Sequence, residues 1–296
     1  PEAYKAHSHL GSTLLVKGRL DEALAESREA LRLKKDSPEA HYNLGVALRA
    51  KGRPEEAIAE YREALRLKMD CPEAHCNLGS LLREKGQFRE ALEETRRGHE
   101  LGSKNPRWPY PSALWVRQCE RLVELDGRLP GFLDGKRTPA SPAERIELAK
   151  FCVRKRLYRA AVRFYAEAFA AETRLSEDLG AADRYNAACA AALAGCDQGQ
   201  DADRLDETER ARLRRQALDW LHADLEARGR LLDRGPEQGR PRVVGQLGHW
   251  QADTDLAGVR EPEALAKLPE AERQGWQTLW NDVATTLARA RKTLSH

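Results

Sequence analysis

The sequence predicts an all-α protein built from repeated helix-turn-helix units. Alanine, leucine, glutamate and arginine dominate its 296 residues, a composition that is typical of helical proteins. Runs rich in valine, isoleucine and aromatic residues, which would indicate strands, are scarce. The segment Pro38-Glu39-Ala40-His41 returns as Pro72-Glu73-Ala74-His75, a shift of 34 residues. A fixed period of this size indicates stacked supersecondary units.

Residues 1–103 contain three copies of the repeat. The positions that keep the 34-residue shift are Leu10-Gly11, Leu44-Gly45 and Leu78-Gly79, then Ala23, Ala57 and Ala91, then Gly18, Gly52 and Gly86. Glycine just after a helix favours a left-handed cap, and proline suits the first turn of a helix, where no amide hydrogen bond is lost. We therefore expect two helices per repeat, in close contact where small residues face each other.

The second repeat resembles the tetratricopeptide-repeat (TPR) family at His41, Leu44-Gly45, Leu48, Ala57, Tyr61 and Ala64. It departs from the family where His41 replaces an aromatic residue, where Leu48 replaces a smaller one, and where Met69 replaces proline. The resemblance implies a solenoid: a right-handed superhelix of hairpins whose first helices line a concave groove. It also implies a protein-interaction scaffold and not an enzyme.

The rest of the chain divides into three predicted regions. Residues 104–141 form a proline-containing connector with one helix, from Ser112 to about Asp126, ended by the breaker Leu129-Pro130-Gly131. Residues 142–232 form degenerate TPR-like helices, because Leu148-Ala149 and Tyr185-Asn186 align with the second repeat. Residues 233–296 form capping helices, the last of them over Pro269–Leu294, since an open solenoid end would expose apolar surface.

A more particular resemblance is carried by Trp108-Pro109-Tyr110-Pro111-Ser112, by Tyr185-Asn186-Ala187-Ala188-Cys189 and by Asp255-Leu256-Ala257-Gly258-Val259. These segments resemble the C-terminal TPR region of certain bacterial serine/threonine protein kinases. The resemblance implies a regulatory or docking region behind a kinase domain. The chain itself has no glycine-rich phosphate loop, His-Arg-Asp or Asp-Phe-Gly motif. Because it opens near a repeat boundary and without methionine, we expect it to be part of a longer protein.

The residues before the Leu-Gly pairs are the first candidate binding residues. They are His9, Asn43 and Asn77, with Asn186 at the matching place further along, and Tyr42, Arg49 and Arg83 are groove neighbours. The pattern resembles the asparagine ladder of the O-linked N-acetylglucosamine transferase. An asparagine offers both a donor and an acceptor, so it can hold a peptide main chain of any sequence. The alternative is that these asparagines only join neighbouring helices. Recognition of an acidic chaperone tail is not expected, because the lysines and asparagine of that clamp are incomplete here.

A second candidate is a basic cluster at a helix turn. Residues 104–163 carry 14 basic and 6 acidic side chains, and Arg154, Lys155, Arg156, Arg159 and Arg163 lie within ten residues of one another. Such a cluster can dock an acidic or phosphorylated partner, although a solvated turn is the more common outcome. No aromatic platform accompanies these charges and the net charge is only +3, so nucleic acid is not expected as a partner.

Catalysis, metals and cofactors are not expected. Cys71, His75 and Cys76 lack a fourth ligand for zinc, and no nucleophile or metalloprotease motif occurs. The six cysteines show no disulfide-framework spacing, which favours a reduced, cytoplasmic setting. No apolar run is long enough to cross a membrane. The expected partner is a protein or peptide, and the sequence leaves both the oligomeric state and self-assembly through an exposed helix open.

Overall fold

A computed structural model describes residues 2–203, 205–234 and 239–292 of the chain. In these residues the secondary structure consists of α-helices and one 3-10 helix, with no β-strand. The prediction of an all-α fold is therefore confirmed. The chain divides into two compact units, Pro1–Arg128 and Leu129–His296.

The first unit contains three helical hairpins and the start of a seventh helix. Its helices are α1 (Ala3–Val16), α2 (Leu20–Leu33), α3 (Pro38–Ala50), α4 (Pro54–Leu67), α5 (Pro72–Glu84), α6 (Phe88–Gly102) and α7 (Ser112–Leu133). Each predicted cap glycine lies between the two helices of a hairpin and has a positive φ, 71° at Gly18 and Gly52 and 78° at Gly86. Left-handed backbone of this kind reverses the chain at little cost only when the residue is glycine.

Small residues bring the two helices of each hairpin together. Ala23, Ala57 and Ala91 are fully buried. A Cβ atom added at Gly45 would lie 2.7 Å from the Tyr61 ring, which is closer than van der Waals contact allows. A Cβ at Gly79 would lie 3.0 Å from the carbonyl oxygen of Ala91. The predicted close contact between the paired helices is therefore present, and it leaves no space for a side chain at Gly45 or Gly79.

The seventh helix differs from its prediction. It continues beyond Asp126 and through Pro130 to Leu133, although the sequence indicated that Leu129-Pro130-Gly131 would break it. The helical hydrogen bonds resume beyond the proline, since the amide of Asp134 donates to the carbonyl of Pro130 at 3.0 Å. Proline removes one donor, and here that loss falls within the last turn of the helix.

The first half of α7 continues the repeat register of the first unit. Arg49 of α3 pairs with Glu84 of α5 at 3.0 Å, and 34 residues on, Arg83 of α5 donates to Gln118 of α7 at 3.0 Å. Arg96 of α6 also pairs with α7, through Glu120 at 2.6 Å. The N-terminal half of α7 therefore packs on the third hairpin as the first helix of a further repeat would.

The second unit begins with two further hairpins and ends in an irregular helical region. Its remaining helices are α8 (Pro142–Arg154), α9 (Tyr158–Ala171), α10 (Arg174–Glu177), α11 (Asp183–Gly195), α12 (Glu207–Arg234), α13 (Arg240–Ala252), α14 (Pro262–Leu265) and α15 (Glu270–Lys292), with a 3-10 helix over Thr254–Val259. The last helix was predicted to reach Leu294, which lies outside the described residues. Ala149, Ala161 and Tyr165 are fully buried, as in the hairpins of the first unit.

The helix α11 is enclosed by its own unit. The helix α12 packs along one side of it, and the 3-10 helix packs on another. Tyr185 of α11 stacks on Trp250 of α13 with ring centroids 5.2 Å apart. The helix α15 packs against α12 and α13, and its Trp276 is 1% exposed, so this tryptophan belongs to the core.

Candidate functional site

The predicted groove residues of the first unit lie on the first helices of the three hairpins. They line two neighbouring cavities. The first cavity has a volume of about 200 Å³ and is lined by His9, Tyr42, Asn43 and Lys68. The second has a volume of about 240 Å³ and is lined by Arg49, Asn77, Arg83 and Trp115 of α7. Six of the seven predicted groove residues are therefore brought together on one face of the first unit.

The two asparagines of this unit have different surroundings. Asn43 is 7% exposed, and its Nδ2 donates to the carbonyl oxygen of Ser8 at 2.9 Å. This bond joins α3 to α1 and corresponds to the alternative in which the asparagines connect helices. Asn77 is half-buried, and its Nδ2 donates to the Tyr42 hydroxyl at a longer 3.3 Å. Asn77 is thus the asparagine whose amide is less firmly held.

The two arginines of the second cavity differ in their hydrogen bonding. Arg49 donates to the Ser80 hydroxyl and to Glu84, both at 3.0 Å. Arg83 donates from Nη1 to Gln118, whereas its buried Nε has no acceptor among the described residues. An unpaired buried donor on a charged group is costly, about 1–3 kcal/mol. Arg83 therefore lines the cavity while one of its buried donors remains unpaired.

The cysteine and histidine positions in these repeats have structural roles. Burial raises the pKa of the Cys76 thiol to about 12, so this thiol is protonated at neutral pH and is a poor nucleophile. His75 contacts Glu94 at 2.6 Å through Nδ1 and the carbonyl oxygen of Met69 at 2.9 Å through Nε2. Its two ring nitrogens are therefore engaged within the repeat.

A set of histidine-glutamate pairs was missed by the sequence reasoning. In each repeat, the Nδ1 atom of a histidine on the first helix lies 2.6 Å from a glutamate Oε2 on the second. The pairs are His7–Glu26, His41–Glu60 and His75–Glu94. Both members keep the 34-residue shift, so the signal was in the sequence. At His41 the family resemblance leads one to expect an aromatic residue, which obscures the pairing with Glu60.

Asn186 belongs to a separate site in the second unit. It lines a cavity of about 450 Å³ with Tyr185, Cys189, His249 and Asp253. Tyr185 holds the place on α11 that Tyr42 holds on α3, and its hydroxyl donates to Asp253 at 2.6 Å. The segment of the chain that carries His249 and Asp253 therefore packs beside Asn186. In this respect the cavity differs from the two cavities of the first unit.

The predicted basic cluster is largely engaged in local contacts. Arg159 pairs with Glu209 at 2.9 Å, and Arg163 donates to the carbonyl oxygen of Phe132 at 3.1 Å. Lys155 lies over the Phe151 ring. Arg156 has a φ of 57°, since it takes the left-handed position that glycine holds in the first three repeats. Arg154 is the last residue of α8 and is exposed.

Of this cluster, Arg159 and Arg163 line a cavity of about 610 Å³ floored by apolar side chains such as Val162 and Leu213. Arg154, Lys155 and Arg156 are not among its lining residues. The five residues thus do not line one common cavity, and two of them contribute to an amphipathic pocket instead.

The chain was compared with known families and proteins. Residues 8–72 match the family model described as tetratricopeptide repeat. No curated protein matches the chain. In the part of the chain that is described, no helix is long and apolar enough to span a membrane.

Several solved structures are similar to parts of the chain. One is the TPR domain of P58(IPK), with 16% identity, 97% of this chain and 76% of that one covered, and a TM-score of 0.42. Another is the TPR domain of Sgt2 from Aspergillus fumigatus, with 18% identity, coverage of 48% and 88%, and a TM-score of 0.40. A third is the Yersinia enterocolitica secretion chaperone SycD in complex with a peptide of the translocator YopD, with 18% identity, coverage of 42% and 94%, and a TM-score of 0.38. The family match thus covers residues 8–72, within the three hairpins of 34-residue period that run from α1 to α6.

Proposed function

We propose that this chain is a protein-interaction scaffold whose first unit binds an extended peptide segment across the first helices of its hairpins. The observation that supports the proposal best is the buried Nε atom of Arg83, which has no acceptor among the described residues and belongs to a residue that lines the 240 Å³ cavity. A peptide carbonyl or a carboxylate oxygen in the cavity would accept this hydrogen bond once the Arg83 side chain turns its Nε toward it, and would offset the cost of the unpaired donor.

The groups around this donor suit an extended chain. Asn77 lines the same cavity and offers an amide that can both donate and accept, and its present bond to Tyr42 is long. Trp115 supplies an aromatic surface in the same cavity. The neighbouring cavity at His9 and Asn43 continues the line of polar groups to the first hairpin. We infer that main-chain oxygens of the ligand bind at Arg83 and Asn77 while one side chain contacts Trp115.

The test begins with a random-peptide library displayed on phage and selected against the full chain. Selected peptides are synthesised, and their affinity is measured by fluorescence anisotropy. Replacing Arg83 by methionine keeps the aliphatic stem but removes the donors, so we expect affinity to fall by about tenfold to a hundredfold, as for loss of a charged hydrogen bond. Asn77→Ala is expected to weaken binding by about tenfold or less.

The matched control is Arg96→Met. Arg96, like Arg83, contacts α7, so both variants lose one contact between helices. Arg96 is not among the residues that line either cavity. Equal losses of affinity in the two variants, or selected peptides that bind Arg83→Met as well as the parent, would contradict the proposal.

The alternative function is a regulatory or docking region of a multidomain serine/threonine protein kinase. The residues that suggested it have packing roles. Trp108 packs against Gly102, where an added Cβ would lie 2.5 Å from the ring, and Tyr185 stacks on Trp250. Residues with packing roles indicate a fold shared with those kinase regions, and they would have the same role whether or not a kinase domain is attached. The complete reading frame of the gene decides between the two functions: a kinase domain in the same frame would support the alternative, and repeats alone would exclude it.

A further inference from the structure

A cluster of metal-binding side chain types lies in the second unit, away from the groove. The Sγ atom of Cys189 on α11 and a carboxylate oxygen from each of Asp253 and Asp255 lie within 4.8 Å of one another. His249 lies next to them, with its Nε2 3.2 Å from the Oδ2 of Asp253, but it stands outside the group whose ligand atoms are all within 4.8 Å of one another. All four residues line the 450 Å³ cavity. The two carboxylates, the thiol and the imidazole come from two segments that are far apart in sequence.

The charge around this cluster is unbalanced. Two aspartates lie side by side, with a carboxylate oxygen of each within 4.8 Å of the Cys189 sulfur. The nearby cations have other partners: Lys150 pairs with Asp183 at 2.7 Å, and Arg260 donates to two backbone carbonyls and to Glu261. Among the described residues, His249 is therefore the basic group that contacts these carboxylates, and a cation would relieve their repulsion.

We propose that Cys189, His249, Asp253 and Asp255 bind a divalent transition-metal ion, with Zn²⁺ as the best fit. Zn²⁺ is bound by thiolate, imidazole and carboxylate groups, commonly four of them in a tetrahedron. Ca²⁺ and Mg²⁺ prefer oxygen ligands alone, so the sulfur and nitrogen donors favour zinc. On binding, the Cys189 thiol releases its proton to solvent and its sulfur takes the ion.

The site must contract around the ion. With bond lengths of about 2.0–2.3 Å, two ligands of a tetrahedral zinc ion are about 3.3–3.8 Å apart, whereas the ligand atoms of Cys189, Asp253 and Asp255 lie within 4.8 Å of one another. Cys189 is 6% exposed and fixed by the core. Asp255 and His249 are exposed, so their side chains are free of tight packing and can close on the ion.

The surroundings already orient Asp253. The Tyr185 hydroxyl donates to its Oδ2 at 2.6 Å, and the Asp255 amide donates to its Oδ1 at 2.9 Å. Such outer hydrogen bonds commonly orient the ligands of metal sites. A bound ion would also tie the 3-10 helix to α11 and so hold this segment on the face that carries Asn186. The proposal does not depend on peptide binding by the first unit.

The experiment uses the full chain after treatment with a chelator and dialysis. Co²⁺ is added as a spectroscopic probe, because a cobalt-thiolate bond gives a sulfur-to-metal charge-transfer absorption in the near ultraviolet. Zn²⁺ affinity is then measured by competition with a chromophoric chelator. We expect one ion per chain, a thiolate band that is lost in Cys189→Ser, and a Zn²⁺ affinity at least about tenfold lower in Asp255→Asn. The matched control is Cys196→Ser, at the end of the same helix, which is expected to keep both the band and the affinity.

The proposal would be overturned by the absence of a cobalt-thiolate band in the parent chain or by an unchanged Zn²⁺ affinity in Asp255→Asn. Should Cys189→Ser fail to fold, as judged by its helical circular dichroism, Asp255→Asn and His249→Gln still decide the matter, because both replace exposed side chains. Binding that is lost in Cys196→Ser but kept in Cys189→Ser would place the metal elsewhere and also exclude the site.

Discussion

His41 is held between two acceptors, with Nδ1 2.6 Å from the carboxylate of Glu60 and Nε2 2.9 Å from the carbonyl oxygen of Lys35. The ring can donate to both partners only when it carries two protons. The contact joins the first helix of the second repeat both to its own second helix and to the segment that precedes it. Since the same histidine-glutamate pair occurs in all three repeats, this contact is a regular part of the array.

The first prediction concerns pH. Burial of the ring lowers the pKa of His41, but the hydrogen bonds to Glu60 and to the Lys35 carbonyl outweigh that effect and raise the pKa above its ordinary value. A histidine with a raised pKa in the folded state adds stability that is fully present below the unfolded value, about pH 6.5, and is lost as pH rises through the folded value. We therefore expect the Tm advantage of the parent chain over His41→Asn to shrink as pH rises above about 6.5. Thermal unfolding across that range measures it, and a Tm difference that does not change with pH would contradict the role given to this pair.

The second prediction tests the close contact of paired helices. In Gly79→Ala, the added methyl group would meet the backbone of α6, 3.0 Å from the Ala91 carbonyl oxygen and 3.1 Å from the Thr95 nitrogen. Because backbone atoms cannot move aside cheaply, we expect a loss of about 1–3 kcal/mol in the free energy of unfolding. Denaturant unfolding followed by circular dichroism measures the change.

Gly127→Ala is the control for that variant. Gly127 is also inside a helix, but nothing lies within 4 Å of a Cβ atom added there. The substitution should raise stability by about 0.5–1 kcal/mol, because alanine favours helix more than glycine does. Parallel effects at the two glycines would show that helix preference, and not contact between helices, decides the outcome.

The third prediction separates the two asparagines of the first unit. Asn43→Ala removes the donor to the buried Ser8 carbonyl, so unfolding free energy should fall by about 1–3 kcal/mol. Asn77→Ala removes only the longer bond to the Tyr42 hydroxyl and should cost less than about 1 kcal/mol. Equal costs in denaturant unfolding would mean that the two asparagines share one structural role. The ligand-binding role of Asn77 can then be measured in a chain that remains folded.

The fourth prediction concerns a buried charge network in the second unit. Asp224 is 1% exposed and pairs with two guanidinium groups, Arg228 at 2.7 Å and Arg184 at 3.2 Å. Asp224→Asn leaves these buried cations without their counter-ion, so we expect stability to fall by about 3–5 kcal/mol. Thermal and denaturant unfolding measure the loss.

The matched control lies on the same helix. Glu226 and Arg230 form an exposed pair at 3.7 Å, and exposed pairs contribute about 0–1 kcal/mol. Glu226→Gln should therefore leave the unfolding curve almost unchanged. A similar loss in the free energy of unfolding for both substitutions would show that the buried Asp224 network contributes no more to stability than an exposed ion pair.

The repeat period determined much of the first unit from the sequence alone. Because each hairpin packs on its neighbours through the same positions, the 34-residue shift fixed the helices, the left-handed glycines and the buried alanines. It also placed His9, Asn43, Asn77, Arg49 and Arg83 on one side of the array. These features depend on residues close in sequence, for which periodicity is a direct physical signal.

Tertiary structure alone decided which of these side chains are already engaged. The sequence could not show that Asn43 is held by Ser8, that Arg83 has an unpaired Nε, or that Arg159 and Arg163 have local partners. Nor could it bring Cys189 of α11 beside Asp253, 64 residues further along. The physical reason is that the sequence pattern specifies which face of a helix is buried, whereas hydrogen bonds and charge pairs between distant segments depend on side-chain positions a few ångströms apart. Those positions are fixed only when the helices have packed.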